Sequence, residues 1–73
     1  MMMDMKQAGD TLYRLRNGKR PEIVAAALQV SVNSLRNYEA GKSVPRRRIR
    51  DKIEIYYGVT QVSIWGADVL NWR

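Results

Sequence analysis

Residues 21–41 read PEIVAAALQVSVNSLRNYEAG, and the punctuation of this stretch decides how the chain folds. Pro21 suits the first position of a helix, where its missing N–H would have had no intrahelical partner. Glu22 to Leu28 is short, Ala-rich and strongly helix-forming. Val24 and Leu28, four residues apart, share one side of that helix and form its buried face. Gln29-Val30-Ser31 is too brief to connect distant elements, so the next helix must leave at a sharp angle. Ser31 is a good N-cap for a helix from Val32 to about Ala40, and Gly41 closes it. On this second helix Leu35 and Tyr38 face one way, whereas Asn33, Arg36 and Asn37 face the other.

On the N-terminal side, Thr11 to Arg16 carries Leu12 and Leu15 at helical spacing, and Asn17-Gly18 reads as a helix stop. Residues 1–10 read as a frayed or weakly ordered N-terminus, or a weakly helical one. On the C-terminal side Val44-Pro45 breaks the chain, and a further helix follows. Its apolar stripe is Ile49, Ile53, Tyr56 and Tyr57, at i, i+4, i+7 and i+8, and Gly58 ends it. Val62 to Trp65 makes a last helical turn. No alternating run is long enough for a strand, and there is no internal repeat. The pattern predicts an all-α fold of four to five helices, with its body at residues 11–66 and a short tail at 67–73.

Composition narrows the function. At 73 residues the chain holds one small domain at most. It has neither Cys nor His, so thiolate or imidazole metal sites and nucleophile–His catalysis lack their usual side chains. No catalytic residue, metal ligand or cofactor is therefore expected, nor a small-molecule ligand. No run of 18 apolar residues is present, which argues against a membrane partner. Asp4 and Gly9 interrupt any signal-peptide core in MMMDMKQAGD, so a cytoplasmic location is expected. The net charge is +6 and unevenly spread: residues 1–52 carry twelve cations against five acids, whereas residues 53–73 have one cation against two. A basic body of that kind attracts polyanions, with nucleic acid the foremost partner.

A short helix, a three-residue turn and a second helix with a polar outer face form a helix-turn-helix. In such pairs the first helix crosses the DNA backbone and the second enters the major groove. Residues 12–65 resemble the helix-turn-helix domain of the Cro/C1 (XRE) family of bacterial and phage regulators, a lambda-repressor-like fold. The resemblance is carried by Leu15-Arg16, Val24-Ala25, Val30-Ser31, Tyr38-Glu39-Ala40-Gly41-Lys42, Pro45 and Tyr57-Gly58-Val59. It implies that Val24 and Ala25 pack beneath the recognition helix, and that Arg16 and Glu39 form an ion pair tying the first helix to the end of that helix. It also implies base-reading positions at Val32, Asn33, Arg36 and Asn37. An Asn amide pairs with N6 and N7 of adenine, an Arg fork with O6 and N7 of guanine, and a Val side chain touches a thymine methyl.

Lys42, Arg46, Arg47, Arg48, Arg50 and Lys52 place six cations in eleven residues with one acid, Asp51. Three arginines at a helix N-terminus oppose the helix dipole, which favours anions there. The placement makes sense beside phosphates, so Arg46, Arg47 and Arg48 are expected to clamp the DNA backbone. Lys19, Arg20, Lys42 and the hydroxyls of Ser31 and Ser34 are expected to assist them. The chain also departs from the family. Arg20-Pro21 stands where Ser or Thr and then Gln usually open the second helix. Gln29 replaces the customary turn Gly, and Glu54 a commonly small apolar residue.

The expected function is that of a sequence-specific, Cro-like repressor in which occupancy of an operator is the whole mechanism, since 73 residues leave no room for an effector domain. Its partner is double-stranded DNA, bound as a homodimer on half-sites about one helical turn apart. Trp65, Leu70 and Trp72 in the apolar tail are the candidates for the dimer contact. The competing reading is a protein-interaction module, such as an antitoxin or anti-regulator, with secondary DNA binding. Such a role has no use for Arg46–Arg48 beside Asn33 and Arg36.

Overall fold

In the computed structural model, which describes residues 4–72, the first helix starts as soon as a cap is available. Asp4 is extended, and its carboxylate accepts the Gln7 N–H at 3.0 Å, opening α1, Met5–Arg16. This start lies six residues before Thr11. Residues 5–10 are thus the first half of a helix rather than a frayed end, because Ala8 and Leu12 fall on one buried face. Residues 1–3 lie outside the described residues. Gly9 explains how closely this half docks: a Cβ there would stand 2.4 Å from the Glu39 carbonyl oxygen. A Cβ on Gly41 would likewise stand 2.7 Å from the Lys6 Cα, so backbone meets backbone at this crossing and only glycine fits. Asn17, left-handed at φ 52°, stops α1.

Helix α2, Pro21–Leu28, has Pro21 at its first position and buries Val24, Ala25 and Leu28. It ends in a Schellman turn: the Gln29 N–H reaches the Ala26 carbonyl at 3.2 Å and the Val30 N–H reaches Ala25 at 3.0 Å. Gln29 itself is left-handed, at φ 60°. The chain then turns directly into α3, Val32–Glu39, with the Ser31 hydroxyl accepting the Ser34 N–H at 3.0 Å. Leu35 anchors α3 on the core.

Helix α4, Arg47–Tyr57, follows a connection closed by the buried Pro45, and Gly58 stops it at φ 69°. Ile49 and Ile53 are buried; Tyr56 and Tyr57 are half-buried, with rings edge to face at 5.1 Å. The stripe also contains Arg50, which is 0% exposed. Helix α5, Gln61–Trp65, is capped twice. The Thr60 hydroxyl accepts the Ser63 N–H at 3.2 Å, and the Glu54 carboxylate accepts the Gln61 N–H at 2.6 Å. Glu54, out of place in an apolar position, therefore works as a cap for the next helix. A 3-10 helix, Ala67–Asn71, folds the tail back and buries Val69.

The fold is all-α, five helices and no strand among the described residues. α1 packs on α3 and α5, α2 on α3 and α4, and α4 on α5. Leu12, Leu28, Leu35, Ile53, Trp65 and Val69 lie near the centre of the shared core. No described helix is long and apolar enough to cross a membrane.

Candidate nucleic-acid interface

Three attachments fix α3, leaving its outer face to solvent. The Schellman turn and Ser31 cap set its start, Leu35 holds its middle, and Arg16 holds its end. Arg16 donates from Nε to Glu39 Oε2 at 2.8 Å and from Nη2 to Oε1 at 3.1 Å, a two-pronged ion pair. Its Nη1 also donates to the Lys19 carbonyl at 2.6 Å, which braces the α1–α2 connection. Both charged side chains are mostly covered, 13% and 10% exposed. The hydrogen bond to Glu39 raises the Arg16 pKa from its ordinary value, outweighing desolvation. Beside the pair lies Tyr57, whose hydroxyl is buried without a hydrogen-bond partner. Burial first, and the Glu39 charge second, push its pKa up to about 12. The phenol is neutral at physiological pH, so Arg16 and Glu39 supply the charges at this end of α3.

On α3, Asn33 and Arg36 are exposed and Val32 and Asn37 half-buried. Asn33, Arg36 and Asn37 sit at i, i+3 and i+4, so they share one side of the helix. Ser31 is exposed and donates its hydroxyl to Ser34 Oγ at 3.0 Å, placing two small polar groups at the helix start. Lys42, Lys19 and Arg20 are exposed in the flanking connections. The Lys19 ammonium stands over the Tyr56 ring at 5.3 Å, and the Arg16 guanidinium over Tyr13 at 5.1 Å. Arg46, Arg47 and Arg48 are all exposed where α4 begins. That helix end has no side-chain cap and no acid in its first turn. No described carboxylate pairs with any of the three. Six exposed donors with fixed backbones, in the connections before α2 and after α3 and at the start of α4, can hold phosphates while the polar face of α3 meets base edges.

Arg50 is not part of this exposed set, although it belongs to the same run of cations. Its Nε donates to Gln61 Oε1 at 2.8 Å and its Nη1 to the Pro45 carbonyl at 2.8 Å. Its Nη2 donates to the carbonyls of Val69 and Trp72, each at 3.3 Å. Gln61 is held in turn, donating from Nε2 to Asp51 Oδ1 at 2.6 Å. Burial lowers the Arg50 pKa from its ordinary value, with Asp51 opposing the shift. The signal was present in the spacing: Arg50 sits between Ile49 and Ile53, on their side of the helix. Charge alone made it look like another surface cation.

Among the three residues proposed for a dimer contact, Trp65 is 4% exposed and belongs to the core of the single chain. A side chain covered to that degree within its own chain offers little surface to a second chain. Leu70 and Trp72 are 63% and 46% exposed and remain on the surface.

The helix pair α2–α3, joined by its tight turn and presenting a polar face between basic connections, defines a helix-turn-helix domain. The family model for the helix-turn-helix domain matches residues 7–63, and the chain belongs to that family. The match covers residues 12–63 of the segment that resembles the Cro/C1 type and begins inside α1. No curated protein and no solved structure shows significant similarity to the chain.

Proposed function

We propose that the chain is a sequence-specific DNA-binding regulator, a Cro-like repressor that reads an operator through the major groove with α3. The observation that carries this reading is the pairing of one polar helix face, Asn33, Arg36 and Asn37, with three exposed arginines that have no described carboxylate partner. Val32, Asn33, Arg36 and Asn37 read bases. Lys19, Arg20, Ser31, Ser34, Lys42 and Arg46–Arg48 hold phosphates. The protein acts as a dimer on half-sites about one helical turn apart, with the exposed Leu70 and Trp72 as the contact. Repression follows from occupancy, because a bound operator is closed to polymerase or to a competing regulator.

The test is fluorescence-anisotropy binding to a pooled random duplex at two salt concentrations, followed by sequencing of the retained fraction. If about six phosphates are neutralised per chain, log affinity falls with log salt at a slope of about −5. An enriched palindrome with that slope supports the reading and supplies the operator. A steep slope with no enriched sequence removes the base-reading assignments. Salt-insensitive association turns the exposed Ile55, Leu70 and Trp72 into the better guide, toward a protein partner.

A further inference from the structure

The guanidinium that fixes the start of the arginine run is the one that holds the tail. Pro45, whose carbonyl accepts from Arg50 Nη1, is the residue immediately before Arg46. The same side chain holds Val69 and Trp72 through Nη2 and α5 through Gln61. A wholly buried cation is tolerated only while its donors are satisfied. If residues 66–72 lift away, Arg50 loses two carbonyls and gains water, and its hold on Pro45 relaxes with them. The tail and the arginine run are therefore two ends of one polar network, with the Asp51–Gln61 contact as its brace.

We propose that Arg50 is a positioning residue for DNA binding: it makes the placement of Arg46–Arg48 on phosphates depend on the docked C-terminal segment 66–72. This rests on the DNA-binding reading above. It adds that residues which touch no DNA set the strength of the backbone contact. Because coupling is reciprocal, DNA held by the arginines must in turn favour the docked tail. A contact from outside on Leu70 or Trp72 is then felt at the arginine run.

The test begins with the unaltered chain. Amide hydrogen exchange is followed by NMR without and with a saturating duplex, at low salt. The amides to watch are Val69, bonded to the Gly66 carbonyl, and Trp72, bonded to Val69. Both are expected to exchange about tenfold more slowly on DNA, the size of a typical coupling between sites. In the Arg50→Lys chain, whose ammonium lacks the fork needed to span Pro45 and the tail, that response disappears. Its binding slope with salt also becomes shallower by about one to two, as phosphate contacts are lost. A purely structural role lowers the melting temperature of Arg50→Lys but leaves the salt slope of its folded fraction unchanged. Unchanged Val69 and Trp72 exchange in a DNA-saturated native chain overturns the inference and spares the DNA reading. Absence of salt-sensitive binding by the native chain overturns both. Should Arg50→Lys fail to fold, the native exchange measurement decides alone.

Discussion

Arg16 and Arg50 are each held by several acceptors, yet the surroundings of the two guanidiniums differ. Arg16 faces a carboxylate and keeps a little solvent contact, as an ion pair that joins α1 to the end of α3. Arg50 is sealed from solvent and donates to four neutral oxygens, one amide and three backbone carbonyls. The first arrangement ties two helices at one point. The second ties a connection, a helix and the chain's tail at once. Losing the second should therefore cost more, although the first looks stronger as a pair of charges.

The sharpest break in that comparison is Arg50→Ala. It removes a fully buried side chain, leaves a cavity and strands several acceptors, so a loss of about 4 kcal/mol is expected. That approaches the whole stability of a domain this size, about 4–10 kcal/mol. Urea denaturation followed by circular dichroism measures it, and a loss under about 1 kcal/mol would show that water replaces the guanidinium freely.

At Arg16 the corresponding change is Glu39→Ala. It leaves a mostly covered cation without its carboxylate, and about 3 kcal/mol is expected, the lower end of the range for broken buried pairs. Glu39→Gln keeps an acceptor for the same fork and should cost about half of that. Equal losses from the two variants would mean that hydrogen bonding contributes nothing beyond charge at this site.

Tyr57 sharpens the comparison because it sits against the Arg16–Glu39 pair with an unsatisfied hydroxyl. Tyr57→Phe removes a buried polar group that has no partner, so a gain of about 1 kcal/mol is expected at neutral pH. The pH dependence follows from the raised pKa. An unfolded Tyr titrates near 10, whereas Tyr57 in the fold titrates at about 12. Between those values the unfolded chain holds fewer protons, so stability present below pH 10 is lost as pH climbs toward about 12. Comparing denaturation midpoints of the parent and Tyr57→Phe at pH 8 and 11 isolates this contribution. A parent that does not lose ground to the variant at the higher pH would place the phenol in water.

The helix pair and its stops were legible because each is written in one or two residues. Pro21 suits a first helical position, the Ser31 hydroxyl caps α3, and Gly58 ends α4 in a left-handed conformation. The early start of α1 was hidden because Asp4 is a modest cap and Gly9 argues against a helix. Only the crossing with Glu39 explains that glycine, and it involves residues thirty positions away in sequence. The buried state of Arg50 was hidden for a similar reason, since its acceptors come from Pro45 and from the tail. Trp65 showed its apolar character but not whether its own chain had room for it. Exposure of Asn33 and Arg36 followed from helical spacing and that of the Arg46–Arg48 run from its charge, whereas any partner they would meet is not part of the chain at all.

The smallest expected effect concerns the turn that sets the start of α3, which α4 reaches by a different cation. Gln29 adopts φ 60° at the end of α2, where an L-residue with a Cβ is strained by roughly 1 kcal/mol. Its side-chain oxygen accepts from the Lys52 ammonium of α4, an exposed contact. Gln29→Gly relieves the strain but loses that contact, worth about 0.5 kcal/mol at a wet surface, and loosens the unfolded chain slightly. The balance favours glycine by a few tenths of a kcal/mol, a rise of about 2 °C in melting temperature for a domain this small. Gln29→Ala separates the two contributions, because it keeps the strained Cβ and discards the contact. It should melt below the parent while Gln29→Gly melts above it. If both variants melt lower by the same amount, the Lys52 contact outweighs the backbone, and the tie from α4 rather than the turn's own geometry sets where α3 begins.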